Sequence, residues 1–275
     1  MRKGFLLVCL CVMVACLTGC GNQDASVVET KDTLQKIIEN GKIVVGVRAR
    51  FPPIGQINPA TNEIEGLVID LINLYAQQLG VEVELKNVEW AALIPGLTNK
   101  DFDMLACHMT RTVPRTASIA LSDPFFLTGT TAIIPAASKL KTWSDLNSKD
   151  VSIGITEGNV YINVIEKNFP NAKMVTFAGK IEWTEALKAG RISCVLDSEL
   201  AGRDMMKLYP DVFKLLPDDY LDTETYGFSF RYGDWGFKNS LDLFLQEIKQ
   251  NGKYGEIYKK WMGMDWKPST LANAL

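Results

Sequence analysis

The chain has 275 residues, of which 47% are hydrophobic and 22% are charged, and its formal net charge is -3. This ordinary globular balance excludes a disordered, collagen-like or coiled-coil chain, and the slight acidity argues against general nucleic-acid binding, which needs a basic face. The length allows two lobes of about 100 residues each. A single histidine, His108, is present, so mechanisms that need two or three histidines are excluded.

The N-terminus has the pattern of an export signal. Two basic residues precede an uncharged apolar run at 5–17, which is shorter than the roughly 20 residues that span a bilayer. The run ends in Leu-Thr-Gly-Cys, which resembles the lipobox of bacterial lipoproteins and implies a diacylglycerol on Cys20. The alternative is a plain signal peptide with a chance cysteine. We predict a signal peptide at 1–19, a lipidated cysteine and tether at 20–32, and a membrane-anchored location in the cell envelope, outside the cytoplasm.

Two cysteines follow the lipidation motif, Cys107 and Cys194. In an exported protein they are able to form one disulfide. Each ends an apolar strand-like run, and the two runs lie far apart in the sequence. We therefore favour two buried free thiols.

Strand and helix patterns alternate after the tether. Apolar residues at 68, 71, 72, 75 and 79 share one helical face, and Gly80 ends that helix. In chain order the predicted elements are a helix closing at 40–41, a strand at 42–47, a helix at 68–79, a strand at 81–85, a short helix at 90–97 and a strand at 102–107. This βαβαβ unit predicts a mostly parallel sheet that binds ligands at the carboxyl ends of its strands.

The pattern restarts after 128–130. The predicted strands are 131–135, 151–155, 173–177 and 193–196, the predicted helices are 160–168 and 181–189, and the chain returns through a strand at 226–231 into helices at 235–250 and 254–262. Two βα units joined by two crossover strands predict two lobes with a ligand cleft between them. We assign 33–128 plus 227–275 to lobe one and 129–226 to lobe two.

A polar block follows the strand at 102–107. It consists of Met-Thr-Arg-Thr-Val-Pro-Arg at 109–115 and Ser-Asp-Pro-Phe at 122–125. The block resembles a segment of the bacterial extracellular amino-acid-binding proteins of family 3, which serve ABC importers, and further matches occur at 58–66, 190–197 and 254–261 in the same order. The resemblance implies an α/β type II periplasmic-binding-protein fold, an amino-acid ligand and an ABC transporter permease as partner. It also implies a monomer without catalytic activity, cofactor or metal, and without nucleic acid.

In that family the last arginine of the block holds the α-carboxylate of the ligand, and this role falls on Arg115. A guanidinium suits it because it donates two parallel hydrogen bonds to a carboxylate. The hydroxyl of Thr110 is expected to add a neutral hydrogen bond. The alternative makes Arg115 a solvated charge after a proline turn.

The turn after the strand at 151–155 is the second candidate. Its residues Gly158, Asn159 and Val160 precede a predicted helix, whose N-terminus offers free N–H groups to an anion. In the family this turn has Gly followed by Ser or Thr and supplies a second carboxylate contact. Here the hydroxyl is absent, so Asn159 either takes that role or only caps the helix.

The third candidate is Asp197, which follows an apolar strand run. In the family the aspartate at this position pairs with the α-ammonium of the ligand. Arg115 and Asp197 on opposite lobes would then grip a zwitterion, so that binding closes the cleft. The alternative role of Asp197 is to cap the following helix at 199–206.

Residues after the first strand are expected to select the side chain of the ligand. Many family members have an acid where Arg48 stands, whereas glutamate and aspartate binders often have a basic residue. Arg48, helped by Arg50, therefore points to glutamate or aspartate. Phe51 and Trp90 occupy positions where the family stacks aromatic rings on the ligand, and the same pair suits a neutral polar or aromatic side chain. The alternative leaves Arg48 solvated at the cleft rim.

His108 is the last candidate for a ligand contact. A lone histidine is more often packed or solvated than functional, but the position of His108 makes it a candidate ligand contact.

An enzyme on the same fold is the alternative to a binding protein. Cyclohexadienyl dehydratases share this fold and use a glutamate three residues after the aspartate that matches Asp197. That position is Leu200 here, and the adjacent Glu199 would face elsewhere on a helix. We therefore predict a binding protein, with a dehydratase as the alternative.

Overall fold

The computed structural model describes residues 32–267. The predicted signal peptide, the lipidation site Cys20 and the predicted tether up to residue 31 lie outside the described residues. Helices α1 to α8 span Thr33–Asn40, Leu67–Leu79, Trp90–Thr98, Tyr161–Asn168, Lys180–Lys188, Glu199–Leu208, Trp235–Gln250 and Lys253–Met262. Strands β1 to β14 span Lys42–Val47, Arg50–Phe51, Gly55–Ile57, Ile64–Glu65, Glu82–Asn87, Met104–Ala106, Ile119–Leu121, Phe126–Pro135, Ser152–Thr156, Lys173–Phe177, Cys194–Ser198, Phe213–Leu215, Thr223–Tyr226 and Ser229–Arg231.

The first sheet has the strand order β5-β1-β6-β14-β7. β1 runs parallel to β5 and β6, as the predicted βαβαβ unit requires, and β14 returns antiparallel to β6 and β7. The apolar face of α2 packs into the core of this sheet, with Leu71 and Ile72 fully buried. α2 ends at Gly80, whose φ of 70° is the left-handed conformation that glycine adopts without strain. We call this sheet, with α1, α2, α3, α7 and α8, the first lobe.

The second sheet has the order β10-β9-β11-β8-β12, with β13 paired to β8. β9 is parallel to β10 and β11, and β8 is antiparallel to β11. Val195 and Leu196 are neighbours in β11 but enter different apolar clusters, because successive side chains of a strand point to opposite faces. Both faces of this sheet are therefore covered. We call it, with α4, α5 and α6, the second lobe.

Two strands connect the lobes. β8 is longer than the predicted strand at 131–135, because its first residues pair with β13. The predicted strand at 226–231 is interrupted: residue 226 is the last residue of β13, which pairs with β8, whereas residues 229–231 form β14, which joins the first sheet. The chain changes partners at Gly227, where a Cβ would lie 3.0 Å from the side chain of Arg111. The assignment of 33–128 plus 227–275 and of 129–226 to two lobes stays a prediction.

The start of α6 connects the lobes by apolar packing. Leu200 and Ala201 of the second lobe belong to the same buried cluster as Phe126 and Tyr226 at the crossings and the core of the first lobe. The lobes therefore touch beside the crossing strands. Within residues 32–267, no helix is long and apolar enough to cross a membrane.

The two cysteines of the described region are both free and buried, which confirms the preference for two thiols. Cys107 directly follows β6, and Cys194 begins β11. Burial raises the pKa of each thiol to about 12. Neither thiol is therefore a reactive nucleophile near neutral pH.

Candidate functional site

A cavity of about 50 Å³ lies between the lobes, and we call it the inner cavity. Its lining residues are Arg48, Arg50, Phe51, Trp90 and His108 from the first lobe and Thr156, Asn159, Lys180, Trp183, Asp197 and Ala201 from the second. Most of the predicted binding residues therefore meet here. Thr110 and Val160 instead line a neighbouring cavity of about 330 Å³.

Strand ends bring these residues together. Arg48 follows β1 directly, His108 comes two residues after β6, and Thr156 and Asp197 lie in the last residues of β9 and β11. β1 and β6 are parallel neighbours in one sheet, as are β9 and β11 in the other. Their carboxyl ends therefore face one cleft, as an open α/β sheet requires.

His108 lies between two aromatic rings. Its ring centroid is 3.7 Å from that of Phe51, with an interplanar angle of 12°, and 4.9 Å from that of Trp90. Burial and the positive charge of Arg48 hold the pKa of His108 well below its usual value, so the imidazole is neutral. Its buried Nδ1 has no hydrogen-bond partner among the described residues. His108 thus stacks on the faces of Phe51 and Trp90 that were expected to contact the ligand. A ligand can instead hydrogen-bond to the unpaired Nδ1 of His108.

Arg48 is part of an ion-pair group that the sequence analysis missed. Its Nη1 donates to Oε2 of Glu89 at 2.7 Å, and Nη1 of Arg50 lies 3.3 Å from Oε1 of the same carboxylate. The Arg48 side chain is only 12% exposed, so it is not a freely solvated charge. The hydrogen bond from Arg48 lowers the pKa of Glu89. Glu89, just before α3, is visible in the sequence as an acid, but its partner Arg48 comes from the end of β1, far away in the chain.

Arg115 lies in a short 3-10 helix at Pro114–Ala117. Its Nη1 donates to the carbonyl oxygen of Thr110 at 2.6 Å, and its guanidinium carbon lies 5.7 Å from the ring centroid of Trp90. Burial lowers the pKa of Arg115, but a guanidinium stays charged near neutral pH. One anchored nitrogen leaves the other N–H groups of the fork available to an anion.

The sequence pattern predicted that Asp197 follows the strand, but in the structure it lies inside β11. One carboxylate oxygen accepts from the backbone N–H of Ser198 at 2.7 Å. Burial raises the pKa of Asp197 to about 6, so the carboxylate is ionised at neutral pH. The helix cap suggested for Asp197 is made by Ser198, whose Oγ accepts from the N–H of Ala201 at 3.2 Å. The second oxygen of Asp197 therefore remains for a ligand.

The turn before α4 differs in detail from the predicted one. Gly158 has a φ of 71°, and a Cβ at this position would lie 3.9 Å from Nε1 of Trp90. The N-cap position of α4 is Val160 and not Asn159. The side-chain oxygen of Asn159 nevertheless accepts from the N–H of Tyr161, at 3.4 Å. The turn thus faces the cleft with its backbone, while Asn159 supports the first turn of the helix.

Glu224 in β13 is a second residue that the sequence analysis missed. Its carboxylate accepts hydrogen bonds from Thr110 Oγ1 at 2.9 Å and from the hydroxyl of Tyr161. Thr110 belongs to the first lobe and Tyr161 to the second, so this buried acid links them. Burial raises the pKa of Glu224 to about 7. An acid two residues before the predicted strand at 226–231 was the only sequence signal, and nothing in the local pattern showed that Thr110 and Tyr161 would both reach it.

Comparisons with known proteins point to one class. The family model described as bacterial extracellular solute-binding proteins, family 3, matches residues 43–264. The sequence is 31% identical to the ABC transporter glutamine-binding protein GlnH of Bacillus subtilis, over 96% of this chain and 99% of that protein. Other relatives are named as histidine-, cystine- and arginine-binding proteins.

Solved structures agree with these sequence matches. The fold is similar to that of an ancestral amino acid-binding protein described as a precursor of cyclohexadienyl dehydratase, with a TM-score of 0.75 and 28% identity over 84% of this chain and 99% of that one. An ancestral arginine-binding protein bound to glutamine has a TM-score of 0.74 and 28% identity, covering 82% of this chain and 99% of that one. The predicted type II periplasmic-binding-protein fold is confirmed.

Proposed function

This chain belongs to the bacterial extracellular solute-binding proteins of family 3, and we propose that it binds an α-amino acid between its lobes and delivers it to an ABC transporter. The observation that carries the proposal is that Asp197 and Trp90 line the inner cavity, and that the guanidinium carbon of Arg115 lies 5.7 Å from the centroid of the Trp90 ring. A zwitterionic amino acid presents the two opposite charges. Membership of an extracellular family places the chain outside the cytoplasm.

The head group of the ligand is assigned to these two residues. The free N–H groups of Arg115 hold the α-carboxylate, and Asp197 accepts from the α-ammonium. Each charge-assisted hydrogen bond contributes about 1.5–3 kcal/mol when water is excluded. The backbone of the turn at 158–160, beside Trp90, is placed to add further N–H donors to the carboxylate.

For the ligand side chain, the charges beside the inner cavity support an acidic amino acid, glutamate or aspartate. Three cations, Arg48, Arg50 and Lys180, line the cavity. Their ion-pair partners are two carboxylates, those of Glu89 and Asp204. Asp197 also lines this cavity, but it is assigned to the α-ammonium. One positive charge is then left for the ligand side chain, and a ligand of net charge −1 balances it. Glutamine is the neutral competitor, because the Arg48–Glu89 pair offers both a donor and an acceptor to a carboxamide.

Binding is proposed to work by closure of the cleft. Arg115 belongs to the first lobe and Asp197 to the second, so one ligand contacts both and favours the closed arrangement. The closed lobes together present a surface that the open form lacks, and the permease of the transporter recognises this surface. We assign a monomer to this role, with the lipid on Cys20 holding it at the membrane.

The enzymatic alternative lacks its acid. Leu200 stands at the position of the dehydratase glutamate and is buried among apolar side chains. Glu199 pairs with Arg203 on the same helix. Incubation with prephenate or arogenate is therefore expected to give no turnover, and measurable dehydration would favour the enzyme.

Isothermal titration calorimetry of the purified protein with each common amino acid tests the proposal. We expect glutamate or aspartate to bind most tightly, and a ligand at 100 times its Kd to stabilise the fold by about 2.7 kcal/mol. Tighter binding of glutamine would leave amino-acid binding standing and overturn the acidic assignment. If no amino acid binds or raises the melting temperature, the proposed function is wrong.

A further inference from the structure

A second and much larger cavity adjoins the inner one. Its volume is about 1030 Å³, and we call it the outer cavity. The two cavities share four lining residues, Arg48, Arg50, Trp90 and Lys180, and we call the place where these residues join the two cavities the neck. Small-molecule sites usually measure about 300–1,000 Å³. The inner cavity alone is far below that range, whereas the outer one has room for a group larger than an ordinary side chain.

The outer cavity has apolar walls from both lobes. Ile57 in β3 is 40% exposed, Ile181 in α5 is 69% exposed and Leu208 in α6 is 58% exposed, and all three line this cavity. Isolated exposed apolar residues are common on protein surfaces, but here three of them surround one hollow. They offer contact surface to the body of a ligand that extends out of the neck.

Ion pairs stand at the neck on both lobes. On the second lobe Lys180 in α5 pairs with Asp204 in α6, and both side chains are largely buried. On the first lobe Glu89 is shared by two arginines. At the neck these groups leave one cation in excess, whereas Glu182 and Glu185 add negative charge to the wall of the outer cavity. The neck therefore suits a ligand that carries one carboxylate beyond its zwitterionic head and holds it near Lys180. In a short amino acid that carboxylate ends at the neck, whereas in a longer one it reaches into the outer cavity.

We propose that the outer cavity is a subsite for amino acids extended through a side-chain amide, the class of γ-glutamyl-linked amino acids. The inference rests on the proposed function, because Arg115 and Asp197 hold the glutamyl head. The amide then lies at the neck, where the Arg48–Glu89 pair offers a donor to its oxygen and an acceptor to its N–H. The second residue lies against Ile181 and Leu208, and Lys180 attracts its terminal carboxylate.

Calorimetry with glutamate and γ-glutamylglycine, on the full-length protein, tests the subsite. We expect γ-glutamylglycine to bind at least as tightly as glutamate. The variants Ile181→Trp and Leu208→Trp fill the outer cavity from exposed positions, and they are expected to weaken the dipeptide at least tenfold while changing glutamate affinity less than threefold. The matched control is Leu243→Trp, at a 65% exposed position on α7 that lines neither cavity. It is expected to change neither affinity.

The outcomes separate the two proposals. Binding of glutamate without binding of γ-glutamylglycine overturns the subsite alone, as does a dipeptide affinity that Leu208→Trp leaves unchanged. Failure of every amino acid to bind overturns the proposed function itself.

A separate experiment tests the attraction between Lys180 and the terminal carboxylate of the dipeptide. γ-Glutamylmethylamide lacks the terminal carboxylate, so the wild type is expected to bind it more weakly than γ-glutamylglycine. Lys180→Met is expected to remove this preference. A preference that survives in Lys180→Met overturns the role of Lys180.

Discussion

Two charged regions of the cleft differ in how the protein holds their charges: the pair Arg115 and Asp197, which we call the clamp, and the neck. In the clamp, Arg115 and Asp197 are each tied to the protein by one backbone contact, to the carbonyl of Thr110 and the N–H of Ser198. At the neck, Arg48 is already paired with the exposed carboxylate of Glu89. A buried charge without a full partner is costly, so it gains most from a ligand, whereas a paired, partly solvated charge gains little. We therefore expect affinity to depend on the clamp and selectivity on the neck.

Removing a clamp charge should have the largest effect. Arg115→Met or Asp197→Asn leaves one end of the zwitterion buried without a partner, which typically costs 2–5 kcal/mol. We expect the Kd for any amino acid to rise about 100-fold or more in titration calorimetry. The control is Arg203→Met, which breaks an ion pair with Glu199 on the exposed side of α6. A clamp variant that binds as tightly as this control contradicts the assignment.

The pH dependence should show opposite signs for stability and for binding. Burial raises the pKa of Glu224 to about 7 and that of Asp197 to about 6. The native state therefore holds more protons than the unfolded chain, and stability falls as pH rises from about 4 to 7. Ligand affinity should instead fall as pH drops below about 6, because Asp197 must be ionised to hold an ammonium.

Thermal melts without ligand from pH 5 to pH 8, beside calorimetry over the same interval, measure both trends. Glu224→Gln removes the main titrating group and is expected to flatten the melting profile. A melting temperature that climbs from pH 5 to pH 8 in the wild type would contradict this account. So would an unchanged profile in Glu224→Gln.

At the neck a smaller change is expected, and its sign depends on the residue. Arg48→Met removes the cation and should weaken glutamate about tenfold. Glu89→Gln frees Arg48 from its counter-ion and should strengthen glutamate by about threefold, which corresponds to about 0.7 kcal/mol. Glutamine loses one neutral hydrogen bond in each variant, so it should weaken less than glutamate in Arg48→Met and should not gain affinity in Glu89→Gln. Equal responses of glutamate and glutamine would show that the neck does not select charge.

The smallest expected effect concerns the two thiols, one in the apolar core of each lobe. Cys107 directly precedes His108, and Cys194 begins the strand that carries Asp197. Because both are buried and free, reducing agent should leave the melting temperature unchanged. An alkylating reagent should modify them only after unfolding, as mass spectrometry can show. Rapid modification of the folded protein would contradict the burial of these two thiols.

Local patterns determined most of the elements. The helix at 235–250 and the strands at 42–47 and 173–177 have the predicted bounds. These segments are long or strongly periodic, and glycine or turn residues mark their ends. The return strand at 226–231 was predicted as one element because its apolar run continues across Gly227. Its division depends on which sheet each half joins, and pairing partners far away in the chain decide that.

The sequence by itself determined the order of the βα units, the family, and the strand ends that supply Arg48, His108 and Asp197. Only the tertiary structure decided what these residues contact: Glu89 on Arg48, two aromatic rings around His108, and Glu224 between Thr110 and Tyr161. The reason is physical. Hydrophobic periodicity is a local property that sets elements and faces, whereas a charge pair or a ring stack needs two side chains from distant segments to meet at one point.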